Sequence, residues 1–205
     1  MLDGAVRARI EPAIDATGRA IARTGISANA VTVIAFLLGL AAAGLIAFHA
    51  YLFGMAVLLA SRLCDGLDGA VARIRGKTDF GGYLDIVLDF GVYGAIPLGF
   101  AFADPAANAL AAAVLVFSFY VNGASFLAFA VMAEKHGLST SQRGEKSFFF
   151  TTGLAEATET IAVFVLACVF PAWFPWLAWI FAAVCFYTAL SRIVMTKRVL
   201  GQPEA

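Results

Sequence analysis

The sequence predicts an all-α polytopic membrane protein with six transmembrane helices, preceded by an N-terminal amphipathic helix on the membrane surface. Of its 205 residues, 61% are hydrophobic and only 14% are charged, which lies far outside the composition of ordinary soluble domains. The mean hydropathy of +0.86 agrees with this class. A spanning helix needs about 20 mostly apolar residues, and the chain divides into six such stretches. Because little sequence remains for a soluble domain, residues 1–205 are predicted to form a single membrane-embedded domain.

The first 25 residues are predicted to form a surface helix, because acidic and basic residues interrupt any apolar core that a cleaved signal peptide would need. Apolar residues recur there at helical spacing, opposite charged ones. The apolar set is Val6, Ile10, Ala13, Ile14 and Ile21, and the charged set is Asp15, Arg19 and Arg23. Such a helix suits an anionic membrane surface, with Pro12 expected to break or begin it. A merely solvated leader helix is the alternative.

The six predicted spans are separated by compact turns. Glycine, proline and aspartate mark these turns near residues 76–79, 104–105 and 171–175, whereas residues 134–147 form the only long polar loop. The spans are expected near residues 30–49, 51–74, 81–103, 107–133, 148–170 and 173–195.

Lysine and arginine residues predict the orientation of these spans. Of the fourteen, all but Arg62, Arg73 and Arg192 lie before the first span or after the second, fourth and sixth spans, whereas the other three connections contain none. The positive-inside rule therefore predicts cytoplasmic termini and an integral protein of the bacterial inner membrane. The formal net charge is zero, which gives no reason to expect a nucleic-acid partner. The three scattered cysteines argue against a disulfide or zinc framework.

Four aspartates inside the spans form the main candidate site. Asp65 and Asp68 lie near the inner end of the second span, and Asp85 and Asp89 near the inner start of the third. Each pair has the spacing of one helical face, so two facing helices can direct all four carboxylates into one pocket. Charges at membrane depth are expensive, and hard oxygen ligands favour Mg²⁺, Mn²⁺ or Ca²⁺. The alternative of structural Asp–Arg bridges through Arg62 and Arg73 would neutralise only two of the four charges.

Small residues and an arginine accompany the aspartates. Gly69, Ala72 and Gly81 leave space for a ligand or a neighbouring helix close to the backbone, and ordinary helix packing alone would also explain them. Arg73 lies one turn after Gly69, where its guanidinium can hold a phosphate.

Together these residues form the pattern D-x2-D-G-x2-A-R-x7-G-x3-D-x3-D, which runs from Asp65 to Asp89. This pattern resembles the signature of the CDP-alcohol phosphatidyltransferase family. Either Gly81 or Gly82 could match the glycine of that signature. Asn29 and Thr32 at the head of the first span also resemble the family's opening. The resemblance implies a membrane-embedded homodimer of six-helix protomers. It also implies a donor such as CDP-diacylglycerol or a related CDP-lipid, an alcohol acceptor, release of CMP, and two divalent ions, Mg²⁺ or Mn²⁺.

The resemblance also implies roles for individual residues. Asp65, Asp68 and Asp85 would be the principal metal ligands, and Asp89 both a ligand and the general base. The cytidine and phosphate portion of the donor would contact a set of residues from three helices, namely Asn29, Thr32, Gly69, Ala72, Arg73 and Gly81.

Further charged residues outline a tentative acceptor pocket. They are Arg143, Lys146, Glu156, Glu159 and Arg192. The segment Gly153-Leu-Ala-Glu156 resembles one in family members that use inositol phosphate, where an arginine follows the glutamate, but this chain has Ala157 there. We therefore predict that the acceptor carries no phosphate, since Glu156 and Glu159 would repel one.

Two hypotheses from other functional classes stay open at this stage. An intramembrane divalent-cation transporter would also place carboxylates between helices, but it leaves Ala72, Arg73 and Gly81 without a role. A catalytically silent, lipid-binding member of the same fold would not need the intact motif.

Overall fold

The computed structural model describes residues 2–136 and 154–200, and these two ranges contain helices and turns but no β-strand. The prediction of an all-α fold is therefore confirmed. The helices are α1 Leu2–Arg23, α2 Ala28–Ala47, α3 Tyr51–Arg75, α4 Asp79–Ala103, α5 Pro105–Lys135, α6 Ala157–Val169 and α7 Phe174–Leu200, with a 3-10 turn at Pro171–Trp173 before α7.

Polar caps start three of these helices where the sequence places its turns. The side chains of Ser27, Thr78 and Asp104 accept hydrogen bonds from the backbone N–H groups that open α2, α4 and α5. Helix α3 ends at Gly76, whose φ of 103° favours glycine. Only Gly76, Lys77 and Thr78 separate α3 from α4, so the two aspartate-bearing helices form a tight antiparallel hairpin.

Small residues bring α2 and α4 into close contact. A Cβ atom added at Gly39 would lie 2.5 Å from Cγ2 of Val92, and one at Gly99 would lie 2.6 Å from the carbonyl oxygen of Ala43. Without a strong hydrophobic drive in lipid, such close backbone packing is a main source of helix association. The hairpin is thereby fixed against α2, which carries Asn29 and Thr32.

Among the described residues, four helical stretches are long and apolar enough to cross a membrane by length and composition, namely Ala28–Ala47, Asp79–Ala103, Pro105–Lys135 and Pro171–Arg198. They coincide with four of the six predicted spans. Helix α3 has 25 residues but carries the charges of the candidate site. Helix α6 has 13 residues, or about 20 Å at 1.5 Å per residue, which is shorter than a bilayer core.

The start of the fifth predicted span differs from the expectation. Residues 148–153 lie outside the described ranges, and residues 154–156 are not helical, so that α6 begins at Ala157. The hydroxyl oxygen of Thr188 on α7 accepts hydrogen bonds from the backbone N–H groups of Leu154 and Ala155, each at 3.3 Å. Because a partner from another helix satisfies these groups, the backbone does not need to be helical at this depth.

Helix α1 continues through Pro12, so the expectation of a break or a start at that residue was wrong. The helix packs against α3, and a Cβ atom added at Gly18 would lie 2.6 Å from Cβ of Ala70. Helix α1 therefore approaches the inner end of α3, beside the candidate site.

Candidate active site

Three of the four signature aspartates converge at the α3–α4 hairpin. Asp65 and Asp68 on α3 and Asp85 on α4 each place a carboxylate oxygen within 4.8 Å of the others. Spacings of three residues along α3 and a short turn into α4 are sufficient to bring them together. We call Asp65, Asp68 and Asp85 the aspartate trio.

The trio fits a hard divalent cation. Asp68 is 7% exposed, and its buried Oδ2 atom has no hydrogen-bond partner among the described residues. Leaving a carboxylate oxygen buried and unpaired is costly. Mg²⁺, Mn²⁺ and Ca²⁺ prefer oxygen ligands of this kind, so the donor set is suited to such an ion.

Asp89, the fourth aspartate, shares an arginine partner with Asp65. Its Oδ1 atom accepts a hydrogen bond of 2.5 Å from Nη1 of Arg62, and the same nitrogen lies 3.6 Å from Oδ1 of Asp65. The sequence analysis considered Arg62 only as a structural partner of the aspartates. The other candidate counter-ion, Arg73, pairs instead with Asp15 on α1, at 2.5 Å.

A cavity of about 490 Å³ opens on the α2 side of the trio. We call it the α2-side cavity. Two members of the trio, Asp68 and Asp85, contribute to its wall. It is lined by every residue that the family resemblance assigned to the donor, namely Asn29, Thr32, Gly69, Ala72, Arg73 and Gly81.

Gly81 fits its predicted position better than Gly82 does. A Cβ atom at Gly81 would lie 3.0 Å from both Oδ1 of Asn29 and Oγ1 of Thr78, whereas one at Gly82 would meet nothing within 4 Å. Both glycines line the α2-side cavity. The space at Gly81 is therefore restricted by polar atoms that a ligand can contact.

A second cavity, of about 670 Å³, lies between α1 and the trio, and we call it the α1-side cavity. Glu11 and Ile14 of α1 line it together with Arg62 and the aspartate trio. The amphipathic pattern of the N-terminal segment gave no indication that α1 would form a wall of the site.

A third cavity, of about 440 Å³, opens on the α7 side, and we call it the α7-side cavity. Asp85 and Asp89 lie at one end of it. Its other polar lining residues are Tyr93, Asn122, Glu156, Thr160 and Arg192. Asp85 is the residue that lines all three cavities, so the α7-side cavity is continuous with the trio through that side chain.

The five residues of the tentative acceptor pocket are only partly brought together. Glu156 and Arg192 line the α7-side cavity, but Glu159 does not. The buried Oε2 atom of Glu159 has no hydrogen-bond partner among the described residues. Arg143 and Lys146 lie outside the described residues.

Arg192 is held firmly by α5. Its Nη1 atom donates to the backbone oxygen and Oδ1 of Asn122, at 3.0 Å each, and to Oγ of Ser125 at 2.6 Å. The sequence analysis left out Asn122, because single polar residues in a span more often stabilise helix contacts, and it did not consider Tyr93. The position of Tyr93 one turn after Asp89 on α4 is the signal that would have found it.

Comparison with known proteins agrees with this geometry. The chain is 47% identical to inner membrane protein YnjF of Escherichia coli over 193 residues, which cover 94% of each chain. An archaetidylinositol phosphate synthase of Pyrococcus horikoshii is 33% identical over 85 residues, covering 41% of this chain and 45% of the synthase.

The fold is also similar to that of a solved enzyme. The phosphatidylinositol phosphate synthase of Mycobacterium tuberculosis, crystallised with CDP-DAG bound, superimposes with a TM-score of 0.71 at 22% sequence identity, covering 90% of this chain and 93% of the synthase. Its complex with manganese and citrate gives a TM-score of 0.70 at 24% identity, over 88% and 87% of the two chains.

The sequence profile of the CDP-alcohol phosphatidyltransferase family matches residues 25–188 of this chain. This range contains all four signature aspartates. This match extends from the start of α2 into α7 and confirms the resemblance read from the motif. The chain belongs to the CDP-alcohol phosphatidyltransferase family.

Proposed function

We propose that this protein transfers a phosphatidyl group from CDP-diacylglycerol, or a related CDP-lipid, to an alcohol acceptor and releases CMP. The observation that carries the proposal is the position of the aspartate trio. Asp68 and Asp85 line the α2-side cavity together with the signature residues, and Asp85 also lines the α7-side cavity. A transferase needs two substrates to meet at one reactive centre, and Asp85 borders both cavities.

We propose that two divalent ions, Mg²⁺ or Mn²⁺, are held mainly by Asp65, Asp68 and Asp85, with Asp89 as a further ligand. Bound divalent ions would neutralise the donor pyrophosphate and stabilise the charge that develops on the departing CMP. The three carboxylates supply the negative charge and the hard oxygen ligands for this purpose.

The α2-side cavity is proposed to hold the cytidine and phosphate portion of the donor. Arg73 supplies a guanidinium for the phosphates, and Asn29 and Thr32 supply polar groups at the opposite wall. Gly69 and Ala72 on α3 and Gly81 on α4 keep the cavity free of bulky side chains. The acyl chains of the donor can then remain among the membrane lipids.

Asp89 is proposed as the general base for the alcohol. The acceptor oxygen forms a new bond to the donor phosphorus, the bond from that phosphorus to the CMP oxygen breaks, and a carboxylate oxygen of Asp89 takes the hydroxyl proton. Its position in the α7-side cavity supports this role.

The proposal is tested by incubating the purified full-length protein with CDP-diacylglycerol and a panel of alcohols, with CMP release as the readout. We expect CMP release that depends on at least one alcohol. Divalent-cation flux through proteoliposomes without CMP release would instead favour the transporter. A protein that binds the CDP-lipid without turnover would be the catalytically silent member of the fold.

We further propose that the acceptor carries no phosphate. Three carboxylates, those of Asp85, Asp89 and Glu156, line the α7-side cavity beside a single described arginine, Arg192. A phosphorylated acceptor would bring almost two negative charges near pH 7. Inositol, glycerol, serine or ethanolamine should therefore give kcat/KM values about tenfold or more above those of glycerol phosphate and inositol phosphate. Efficient turnover of a phosphorylated acceptor, lost on Arg143→Ala or Lys146→Ala, would contradict this prediction.

We propose that residues 1–205 form one membrane domain with six spans in the bacterial inner membrane, and that two such chains form a homodimer. Helices α3 and α6 would complete the six spans, and α1 would lie on the inner membrane surface with the active site facing the cytoplasm. Clustering of basic residues at one set of connections supports this orientation.

Tags at both termini should therefore be cytoplasmic. In spheroplasts, a membrane-impermeant reagent should label either tag only after the membrane has been permeabilised. Labelling of the C-terminal tag but not the N-terminal tag in intact spheroplasts would mean an odd number of spans between the termini and would exclude the six-span topology.

A further inference from the structure

Helix α1 precedes the range matched by the family, yet one of its acidic side chains contacts a signature residue. The matched range begins at residue 25, whereas α1 ends at Arg23. Oδ1 of Asp15 on α1 accepts a hydrogen bond of 2.5 Å from Nη2 of Arg73 on α3. Asp15 has no role in the function proposed above.

Close packing on both sides of Asp15 fixes its position. A Cβ atom added at Gly18 would lie 2.6 Å from Cβ of Ala70, and one added at Gly66 would lie 3.2 Å from Cδ1 of Ile14. Ile14 and Gly18 flank Asp15 on α1, and Gly66 and Ala70 lie one turn apart on α3. Small residues at this spacing let two helices approach closely. Asp15 is therefore held against α3 by the packing of its neighbours.

The guanidinium of Arg73 lies over Gly69, between two cavities. A Cβ atom added at Gly69 would lie 3.8 Å from Nη1 of Arg73, and Arg73 lines both the α1-side and the α2-side cavity. A guanidinium carries five N–H donors in a rigid planar fork. One edge of the fork can therefore contact Asp15 while other donors contact a phosphate.

The contact between Asp15 and Arg73 limits the positions that the arginine can take. Arg73 lies in the last turn of α3, where a long basic side chain can otherwise extend to the membrane surface. The side chains of Arg73 and Asp15 are 38% and 40% exposed, and such an ion pair adds little to folding stability. Loss of the pair should therefore affect the orientation of Arg73 more than the stability of the fold.

We infer that Asp15 is a positioning residue for the donor, because it holds the guanidinium of Arg73 where the donor phosphates bind. This inference rests on the proposed function and deepens it, since it adds a residue of the surface helix to the donor site. Holding the guanidinium in place reduces the conformational freedom that Arg73 loses when a phosphate binds. Helix α1 is thus a part of the donor site and not only a membrane anchor.

The inference predicts a selective loss of donor affinity in Asp15→Ala. The KM for CDP-diacylglycerol and the Kd for CDP should rise about fivefold, the effect of losing a half-exposed ion pair. The values of kcat and of the KM for the alcohol should change by less than about twofold, because this contact acts on ground-state binding of the donor. Cytidine, which has no phosphate, should bind Asp15→Ala as it binds the wild type. An aspartate that only stabilises α1 would not distinguish CDP from cytidine.

The experiment uses the full-length protein in detergent. Binding of CDP and of cytidine is measured by equilibrium dialysis in the presence of Mn²⁺, thermal stability by a melting curve, and kcat and KM by CMP release. The variants are Asp15→Ala, Asp15→Asn, Arg73→Met and the double variant Asp15→Ala/Arg73→Met. Asp79→Asn is the matched control, because it neutralises an aspartate in the first turn of α4 that lines none of the three cavities.

The additional variants show whether Asp15 acts through Arg73. Asp15→Asn keeps an acceptor atom but loses the charge, so the Kd for CDP should rise about threefold. In the Arg73→Met background, Asp15→Ala should not weaken CDP binding further, because the partner through which it acts is absent. Asp79→Asn should keep the wild-type affinity for CDP.

Unchanged CDP binding in a folded Asp15→Ala protein would overturn the inference, and tighter binding would mean that Asp15 competes with the phosphates for Arg73. An equal loss of cytidine binding, an equal loss in Asp79→Asn, or a further loss in the double variant would also overturn it. If Asp15→Ala does not fold, a wild-type Kd for CDP in Asp15→Asn overturns the inference equally. Failure of the proposed function looks different, because the wild-type protein itself would then release no CMP.

Discussion

CMP release from CDP-diacylglycerol should stop in excess chelator and return when Mg²⁺ or Mn²⁺ is restored. The reason is the geometry of the aspartate trio, whose carboxylate oxygens lie within 4.8 Å of one another. Without a cation, three such charges repel each other and the donor pyrophosphate. Full turnover in excess chelator would exclude metal-dependent transfer at this site.

The Asp68→Asn substitution tests the same metal dependence at a single ligand. The substitution preserves the shape of the most buried member of the trio but removes its charge, so kcat/KM should fall by about 10³-fold, or about 4 kcal/mol of transition-state stabilisation. The melting temperature without metal should stay the same or rise, because one of the repelling carboxylates is gone. Activity and stability therefore change independently, which a folding defect would not produce.

Asp79→Asn is the matched control for this variant. Asp79 lies in the first turn of α4, six residues before Asp85, and lines none of the three cavities described above. Neutralising it should leave turnover near the wild-type rate. An equal loss in both variants would mean that the effect reflects the general charge of the hairpin and not the metal site.

The convergence of the aspartate trio was predictable because it depends on local features. Asp65 and Asp68 share a helical face by their spacing, and the capped turn before α4 brings Asp85 opposite them. The ion pair between Asp89 and Arg62 was not foreseen. It depends on a contact with Arg62, which is 27 residues away in the chain, and no local spacing encodes such a contact.

Long-range contacts also explain the differences in the fold. Hydropathy predicted a continuous fifth span, but the hydroxyl of Thr188 satisfies backbone groups of Leu154 and Ala155 that lie more than 30 residues before it. Likewise, the packing of Gly18 against Ala70 places α1 beside α3. A pattern within α1 predicts that it has an apolar face, but it does not identify the helix that this face contacts.

The second large effect is expected for Asp89→Asn. The asparagine can still accept the hydrogen bond from Arg62 through its side-chain oxygen, so the local geometry is retained, but it cannot take the proton of the alcohol. We expect kcat to fall by about 10²-fold or more. Mn²⁺ affinity should fall at least tenfold less than in Asp68→Asn, because Asp89 lies outside the trio. A near wild-type rate would exclude the base role, and a loss of metal binding equal to that of Asp68→Asn would make Asp89 one of the principal metal ligands. With metal binding retained and turnover lost, Asp89 acts on the acceptor, since its carboxylate borders the α7-side cavity.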